Sequence, residues 1–237
     1  MKSLKSLIFC LTSWLLLNNP ANAILIHSNA FIDLTRIQVI PQTSGVTLSL
    51  VPSFNWAETQ VNSDVDWQFG PDGALSDLSS GSGFVQAVAF ADAELSAALT
   101  STADEAGYAG AYAWHELQYR ASGTGRVQVK VDYQIDQGVL DFSPAWDGFL
   151  YALVELLDEF SGTAVFDELF YDLRAGDGSA GRSGGLSLTL DVQDGQSGYL
   201  LFTALSEAVT QSVPLPSTVL LIMPFLLGLI TRAAKEV

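Results

Sequence analysis

The chain has 237 residues, with 26 acidic against 10 basic side chains and a formal net charge of −16. An apolar fraction of 49% with 13 Phe, 7 Tyr and 5 Trp is ample for a buried core and excludes disorder along the whole chain. The acidic balance also excludes a nucleic-acid partner, because a phosphate backbone requires a basic face.

Residues 1–23 have the three parts of a secretory signal peptide. Lys2 and Lys5 form a basic start, an apolar stretch follows, and Ala21 and Ala23 supply the small residues that signal peptidase accepts. We therefore expect cleavage after Ala23. The single cysteine lies within this segment, so the mature protein is expected to contain no disulfide and no thiolate metal site.

The body, residues 24–212, repeats apolar residues at every second position, which is the period of a strand with one buried face. This alternation predicts strands near Phe31–Ile40, Val46–Val51, Val65–Phe69, Val85–Ala97, Tyr108–Arg120, Val127–Ile135, Phe149–Asp158, Ala164–Leu173, Leu186–Val192 and Tyr199–Val209. In Val85–Ala97 the many alanines make a helix a competing interpretation. Short glycine-bearing turns and the lack of a proline-rich linker predict one all-β domain, an antiparallel β-sandwich or jelly roll.

The glycine-rich stretch at 176–185 is predicted to be a loop, and it contains two matches to functional motifs. They are a dinucleotide-binding G-x-G-x-x-G at 176–181 and a nucleophile-elbow G-x-S-x-G at 181–185. Both chemistries need a helix directly after the motif, whereas an alternating strand follows here. The only histidines are His27 and His115, and we expect His115 on a strand face rather than on a metal. The sequence therefore predicts a protein that is not an enzyme, with a secreted hydrolase left open.

Two groups of carboxylates surround predicted turns and are candidate ligands for Ca²⁺, the one cofactor that the sequence suggests. The first group is Asp64, Asp66, Asp72 and Asp77, and the second is Asp172, Asp177, Asp191 and Asp194. Calcium prefers six to eight oxygen ligands, which carboxylates and loop carbonyls supply. The alternative is that these aspartates occupy solvated turns, where the residue type is common.

Aromatic side chains on one predicted strand are the second candidate site. Tyr112, Trp114 and Glu116 share one face of the strand, and His115 and Tyr119 share the other. Aromatic planes beside hydrogen-bonding side chains suit saccharide binding. Packing of these rings in the core is the alternative.

The end of the chain combines a proline motif, an apolar stretch and a basic tail. The motif is Val213, Pro214, Leu215, Pro216 and Ser217, the apolar stretch is Val219–Ile230, and the basic residues are Arg232 and Lys235. A helix over the whole uncharged run from Pro214 to Thr231 would be about 27 Å long, just enough for a bilayer core. A buried core helix is the alternative, but it explains neither the terminal position nor the basic end.

This order of features resembles the PEP-CTERM sorting signal of bacteria. The resemblance covers residues 213–235 and matches Val213, Pro214, Pro216 and Ser217, with Leu215 where the namesake motif has Glu. It implies that an exosortase-type membrane protease cuts near the prolines, and that the helix holds the chain only transiently in the inner membrane. The residues at 215–218 also fit four positions of the sortase motif, with Val219 in place of its glycine.

These features together predict an exported bacterial protein of the cell surface or extracellular matrix, with a signal peptide at 1–23, a β-sandwich body at 24–212 and a sorting signal at 213–237. We expect a structural or adhesive role. The alternative is a carbohydrate-binding jelly-roll module that depends on calcium, with extracellular polysaccharide as its partner.

Overall fold

The computed structural model describes residues 24–80, 83–89, 94–103, 107–139, 146–173 and 178–212. They form twelve strands: β1 (Ile24–Pro41), β2 (Thr47–Val61), β3 (Asp64–Gly70), β4 (Ala74–Ser80), β5 (Gly83–Ala89), β6 (Glu94–Ala103), β7 (Gly107–Ser122), β8 (Gly125–Val139), β9 (Trp146–Asp158), β10 (Thr163–Asp172), β11 (Gly178–Val192) and β12 (Ser197–Ser212). Within these ranges no helix has the length and hydropathy needed to cross a membrane. The predicted signal peptide and the predicted sorting signal lie outside the described residues.

The strands form two antiparallel sheets of six strands each. Sheet 1 has the order β11-β8-β1-β6-β5-β4, and sheet 2 has the order β10-β9-β12-β7-β2-β3. The inward side chains of both sheets form one apolar core, in which β8 buries Val127, Val129, Val131 and Ile135 at 0–1% exposure. The prediction of an all-β fold built from antiparallel sheets is confirmed.

Several strand predictions need correction. The single strand or helix predicted over Val85–Ala97 is wrong, because β5 and β6 are two strands that pair antiparallel with Ala89 opposite Leu95. The glycine-rich stretch predicted as a loop is the first half of β11, which pairs with β8 from Gly178 onward. Strand β4 and the second half of β2 were not predicted. Alanine and glycine carry little periodic signal, so the alternation could not place the boundaries of β5, β6 and β11.

A bulge in β2 decides which of its side chains face the solvent. The register against β7 shifts between Pro52 and Phe54, which leaves Ser53 as an extra residue. Before the bulge, Leu50 lies opposite buried Tyr119, and after it Asn55 lies opposite buried His115. Since an inserted residue reverses the alternation, the side chains of Phe54 and Trp56 turn outward, while Ala57 and Val61 are buried.

Polar side chains link the two sheets at both lateral edges of the sandwich. At one edge, Ser76 Oγ on β4 donates to the backbone oxygen of Asp66 on β3 at 2.9 Å and lies 2.8 Å from Thr59 Oγ1 on β2. At the other edge, Arg182 on β11 donates to Asp167 Oδ1 and to the backbone oxygen of Glu168 on β10, at 2.7 and 2.9 Å. These contacts occupy backbone groups of β3 and β10 that would otherwise be open to pairing with another chain.

The carboxylate of Asp167 receives a second donor from sheet 1, the hydroxyl of Tyr133 on β8. Burial alone would raise the pKa of Asp167, but the hydrogen bonds from Tyr133, Arg182 and the Glu168 amide hold it below its usual value. The group therefore favours the folded state while it is ionised, and this contribution is lost when the pH falls through its lowered pKa.

A buried tyrosine connects β7 to the turn between β9 and β10. The hydroxyl of Tyr119 donates to Asp158 Oδ1 at 3.1 Å, and the same carboxylate accepts the Ser161 amide at 3.1 Å. Gly198 lies opposite Tyr119 on β12, and a Cβ there would be 2.5 Å from the phenol oxygen, so only glycine leaves room. Burial, and after it the charge of Asp158, raises the pKa of Tyr119 to about 12.

We expect Tyr119→Phe to lower the free energy of unfolding near pH 8 by about 1–2 kcal/mol, because a buried carboxylate loses a donor. The phenol of the unfolded chain ionises near pH 10 and that of the folded chain near 12. The stabilisation that Tyr119 provides is therefore complete below about pH 10 and is lost as the pH rises toward 12. The difference in the free energy of unfolding between the unchanged protein and Tyr119→Phe narrows over the same range. Urea unfolding of both proteins near pH 8 and pH 11 measures this difference. A difference of the same size at both pH values would contradict the role assigned to the Tyr119–Asp158 hydrogen bond.

Candidate functional site

The outward faces of the two sheets differ in composition. On sheet 1 the outward positions of β8 include Lys130, Asp132 and Gln134, the usual polar surface of a sandwich. On sheet 2 the outward positions carry mainly large apolar side chains: Phe54, Trp56, Trp67, Phe69, Tyr112, Trp114, Leu153, Phe166, Phe170 and Leu205. A contiguous apolar surface of this kind marks an interaction site more often than an ordinary surface.

Five rings on β2, β3 and β7 form what we call the aromatic cluster: Phe54, Trp56, Trp67, Phe69 and Trp114. The rings of Trp56 and Trp67 are 5.5 Å apart at an interplanar angle of 5°, and those of Trp67 and Phe69 are 5.5 Å apart at 13°. Phe54 lies 5.7 Å from both Phe69 and Trp114 and joins β7 to the group. Three of the five rings, those of Trp56, Trp67 and Phe69, are therefore nearly parallel and stack against one another.

Strand β3 turns its apolar side chains toward the solvent. Val65, Trp67 and Phe69 are 50%, 51% and 55% exposed, while Asp66 points toward the core edge and accepts the Ser76 hydroxyl at 2.9 Å. This is the reverse of the usual arrangement, in which the apolar face of a strand is buried. The fully buried Ser76 hydroxyl, which lies within hydrogen-bond distance of both the backbone oxygen and the carboxylate of Asp66, explains how the strand tolerates this orientation.

Carboxylates border the aromatic cluster on both sides. Glu58 lies between Trp67 and Tyr112 in the strand register, and Glu116 lies opposite Phe54 and accepts the hydroxyl of Ser53. Burial raises the pKa of Tyr112, a hydrogen bond with Thr203 acts against this shift, and the charges of Glu155 and Glu58 add to it. The surface thus combines ring faces with hydrogen-bond acceptors.

On the inward side of the same strands, a buried polar contact joins Asn55 on β2 to His115 on β7. Asn55 and His115 are fully buried, and Asn55 Oδ1 lies 2.7 Å from His115 Nδ1. The amide nitrogen of Asn55 donates to the backbone oxygens of Gly70 and Pro71 at 3.1 and 3.0 Å. Because these oxygens directly follow Phe69, the contact fixes the end of β3 against β2 and β7.

The structure places the predicted saccharide residues Tyr112, Trp114 and Glu116 together on the outward face of β7, with His115 and Tyr119 turned inward. The sequence reasoning did not find the four rings of β2 and β3. Their signal is two aromatic pairs, at 54/56 and 67/69, that lie on either side of Asn62. Asn62 has φ +53° and lies in the tight turn between β2 and β3. Asparagine is common at such positions, so it was a local sequence signal for the hairpin that brings the two aromatic pairs together.

A second aromatic pair lies at the opposite edge of sheet 2. Phe149 and Phe170 are 5.5 Å apart at 24°, and they line a cleft of about 270 Å³ with Asp147, Asp172 and Gln211. Asp172, one of the predicted calcium ligands, therefore lies beside an aromatic pair at the end of β10. Phe166 and Phe170 are 59% and 60% exposed there.

The other predicted calcium ligands are spread over the fold. Asp64, Asp72 and Asp77 are exposed on β3, the β3–β4 turn and β4, and Asp177 lies outside the described residues. Asp191 pairs with Arg126 at 2.8 Å, and Asp194 accepts the Gly123 amide at 2.8 Å. In the described part of the chain no three acidic, histidine or cysteine side chains are grouped so that they could hold a metal.

No protein-family model and no curated protein matches the chain. Among solved structures, a similar chain is the enzymatically active domain of tailspike protein 4 from bacteriophage CBA120. The two are 16% identical, the match covers 72% of this chain and 20% of that chain, and the TM-score is 0.15. The chain thus spans about a fifth of that solved domain, and a similarity of this size does not establish a shared fold.

Proposed function

We propose that the chain is an exported bacterial protein that acts at the cell surface or in the extracellular matrix as a structural or adhesive component without catalytic activity. Signal peptidase removes residues 1–23, and an exosortase-type protease acts on the motif at 213–217 after the apolar segment has held the chain in the inner membrane. The observation that supports adhesion is the outward face of sheet 2, whose exposed aromatic rings are available to a partner.

The export step predicts two cuts. We expect intact mass spectrometry of the protein from the culture fluid or cell surface to give a chain that begins at Ile24 and ends near Pro214–Pro216. The matched control is Pro214→Ala/Pro216→Ala, which alters only the motif and should leave the chain in the membrane fraction. Native protein in the cytosol with both termini still attached would contradict the proposal.

A carbohydrate-binding module is the second candidate, and the aromatic cluster beside Glu58 and Glu116 favours it. Selective signals on a glycan array would favour this module over a general structural component. Repeating the array with millimolar calcium and with a chelator tests the calcium dependence, because an ion held by Asp64, Asp66, Asp72 or Asp77 would change the signal.

A further inference from the structure

The aromatic cluster exposes apolar surface at the β3 edge of sheet 2. Trp67 and Phe69 each expose about half of their surface, although aromatic side chains of this size are usually buried. Trp56 and Trp114 are half-buried and lie next to each other in the register of β2 and β7. A partner that covers these four rings would remove a large apolar area from water.

The charges around the cluster restrict the chemistry of that partner. Arg120 is the single Lys or Arg within the described strands of sheet 2, while Glu58 and Glu116 border the rings. A polymer that carries carboxylate or sulfate groups is therefore repelled. A second copy of the chain, docked by two-fold symmetry, would place the same glutamates close to one another and is also disfavoured.

An uncharged glycan can cover the apolar rings and is not repelled by the carboxylates that border them. The apolar faces of sugar rings pack on aromatic planes, and sugar hydroxyls donate hydrogen bonds to carboxylate oxygens. The rings of Phe69, Trp56 and Trp114 lie in one register row across β3, β2 and β7 and extend about 10 Å at the usual strand spacing. Glu116 and Glu58 flank this row on its two sides, in the positions where hydroxyls at the edges of a sugar chain would lie.

We infer that the aromatic cluster binds an uncharged polysaccharide chain that lies across the strands along the row Phe69–Trp56–Trp114, with Glu58 and Glu116 as hydroxyl acceptors. This inference rests on the proposed function, because the surface meets extracellular polysaccharide only if the chain is exported. It assigns the binding role to Phe54, Trp56, Trp67 and Phe69 in addition to Trp114.

Native gel electrophoresis of the full chain in gels that contain soluble polysaccharide tests the site. The neutral probes are hydroxyethylcellulose, dextran and galactomannan, and carboxymethylcellulose is the anionic counterpart of the first. We expect retardation by at least one neutral polymer and none by carboxymethylcellulose. Trp67→Ala/Phe69→Ala should weaken retardation about tenfold or more, since the row loses the ring of Phe69 and Trp56 loses the ring of Trp67 that stacks on it.

The matched control is Phe166→Ala/Phe170→Ala, which removes two rings of similar exposure from the opposite edge of the same sheet. This control should bind as the unchanged chain does. Equal losses in both variants, no loss in either, or preferential binding of carboxymethylcellulose would each overturn the inference. A dimer in sedimentation that Trp67→Ala/Phe69→Ala dissociates would also overturn it, whereas failure of export appears separately in the intact mass.

Discussion

Replacing Phe202 with alanine is expected to lower the free energy of unfolding by about 3–5 kcal/mol, the usual cost of removing a buried aromatic ring. Phe202 is fully buried on β12, between β7 and β9, and its ring lies 6.4 Å from that of His115. The surrounding strands are fixed by backbone pairing on both sides, so the core cannot close over the cavity.

The same substitution at Trp114 provides the contrast. Trp114 is half-buried on the outward face, one strand away from Phe202, and its truncation leaves no enclosed cavity. We expect a loss of about 1 kcal/mol in stability, together with weaker binding of polysaccharide. Urea unfolding of the two variants measures the difference, and a loss at Trp114 as large as that at Phe202 would place the ring in the core and contradict its binding role.

This contrast shows how far the sequence determines the fold. Strand β8 could be predicted because its outward side chains, such as Lys130 and Asp132, are polar and its inward ones are valines. Strand β3 could also be predicted as a strand, but its apolar side chains point outward and its Asp66 points inward. Alternation reports the period of a strand and not which of its faces is buried.

The aromatic cluster was partly predictable for the same reason. Tyr112, Trp114 and Glu116 share a face by alternation alone, which the structure reproduces. The contribution of β2 depends on the bulge at Ser53, because without it Trp56 would have the inward parity of Leu50. A bulge is a tertiary feature whose position one sequence does not specify, and Pro52, which lacks an amide hydrogen, was its only local sign.

Asn55→Leu is expected to be the second strongly destabilising change, at about 2–3 kcal/mol. Asn55 is fully buried, and its loss deprives His115 Nδ1 of a partner 2.7 Å away and the backbone oxygens of Gly70 and Pro71 of their donor. A buried polar group that loses its partner retains its desolvation cost. Gln60→Ala, on the same strand but facing outward, is the control and should change stability by less than about 0.5 kcal/mol.

A double-mutant cycle with His115→Leu separates this polar contact from simple packing. If the contact between Asn55 Oδ1 and His115 Nδ1 stabilises the fold, the double variant should be more stable than the sum of the single losses predicts, by about 1 kcal/mol or more, because each single variant loses that contact and the double variant loses it only once. Additive losses would contradict the pairing. Asn55 also donates to the backbone oxygens of Gly70 and Pro71, in the turn that follows Phe69. Asn55→Leu and the double variant should therefore both weaken polysaccharide binding. His115→Leu alone leaves this donor in place and should affect binding less.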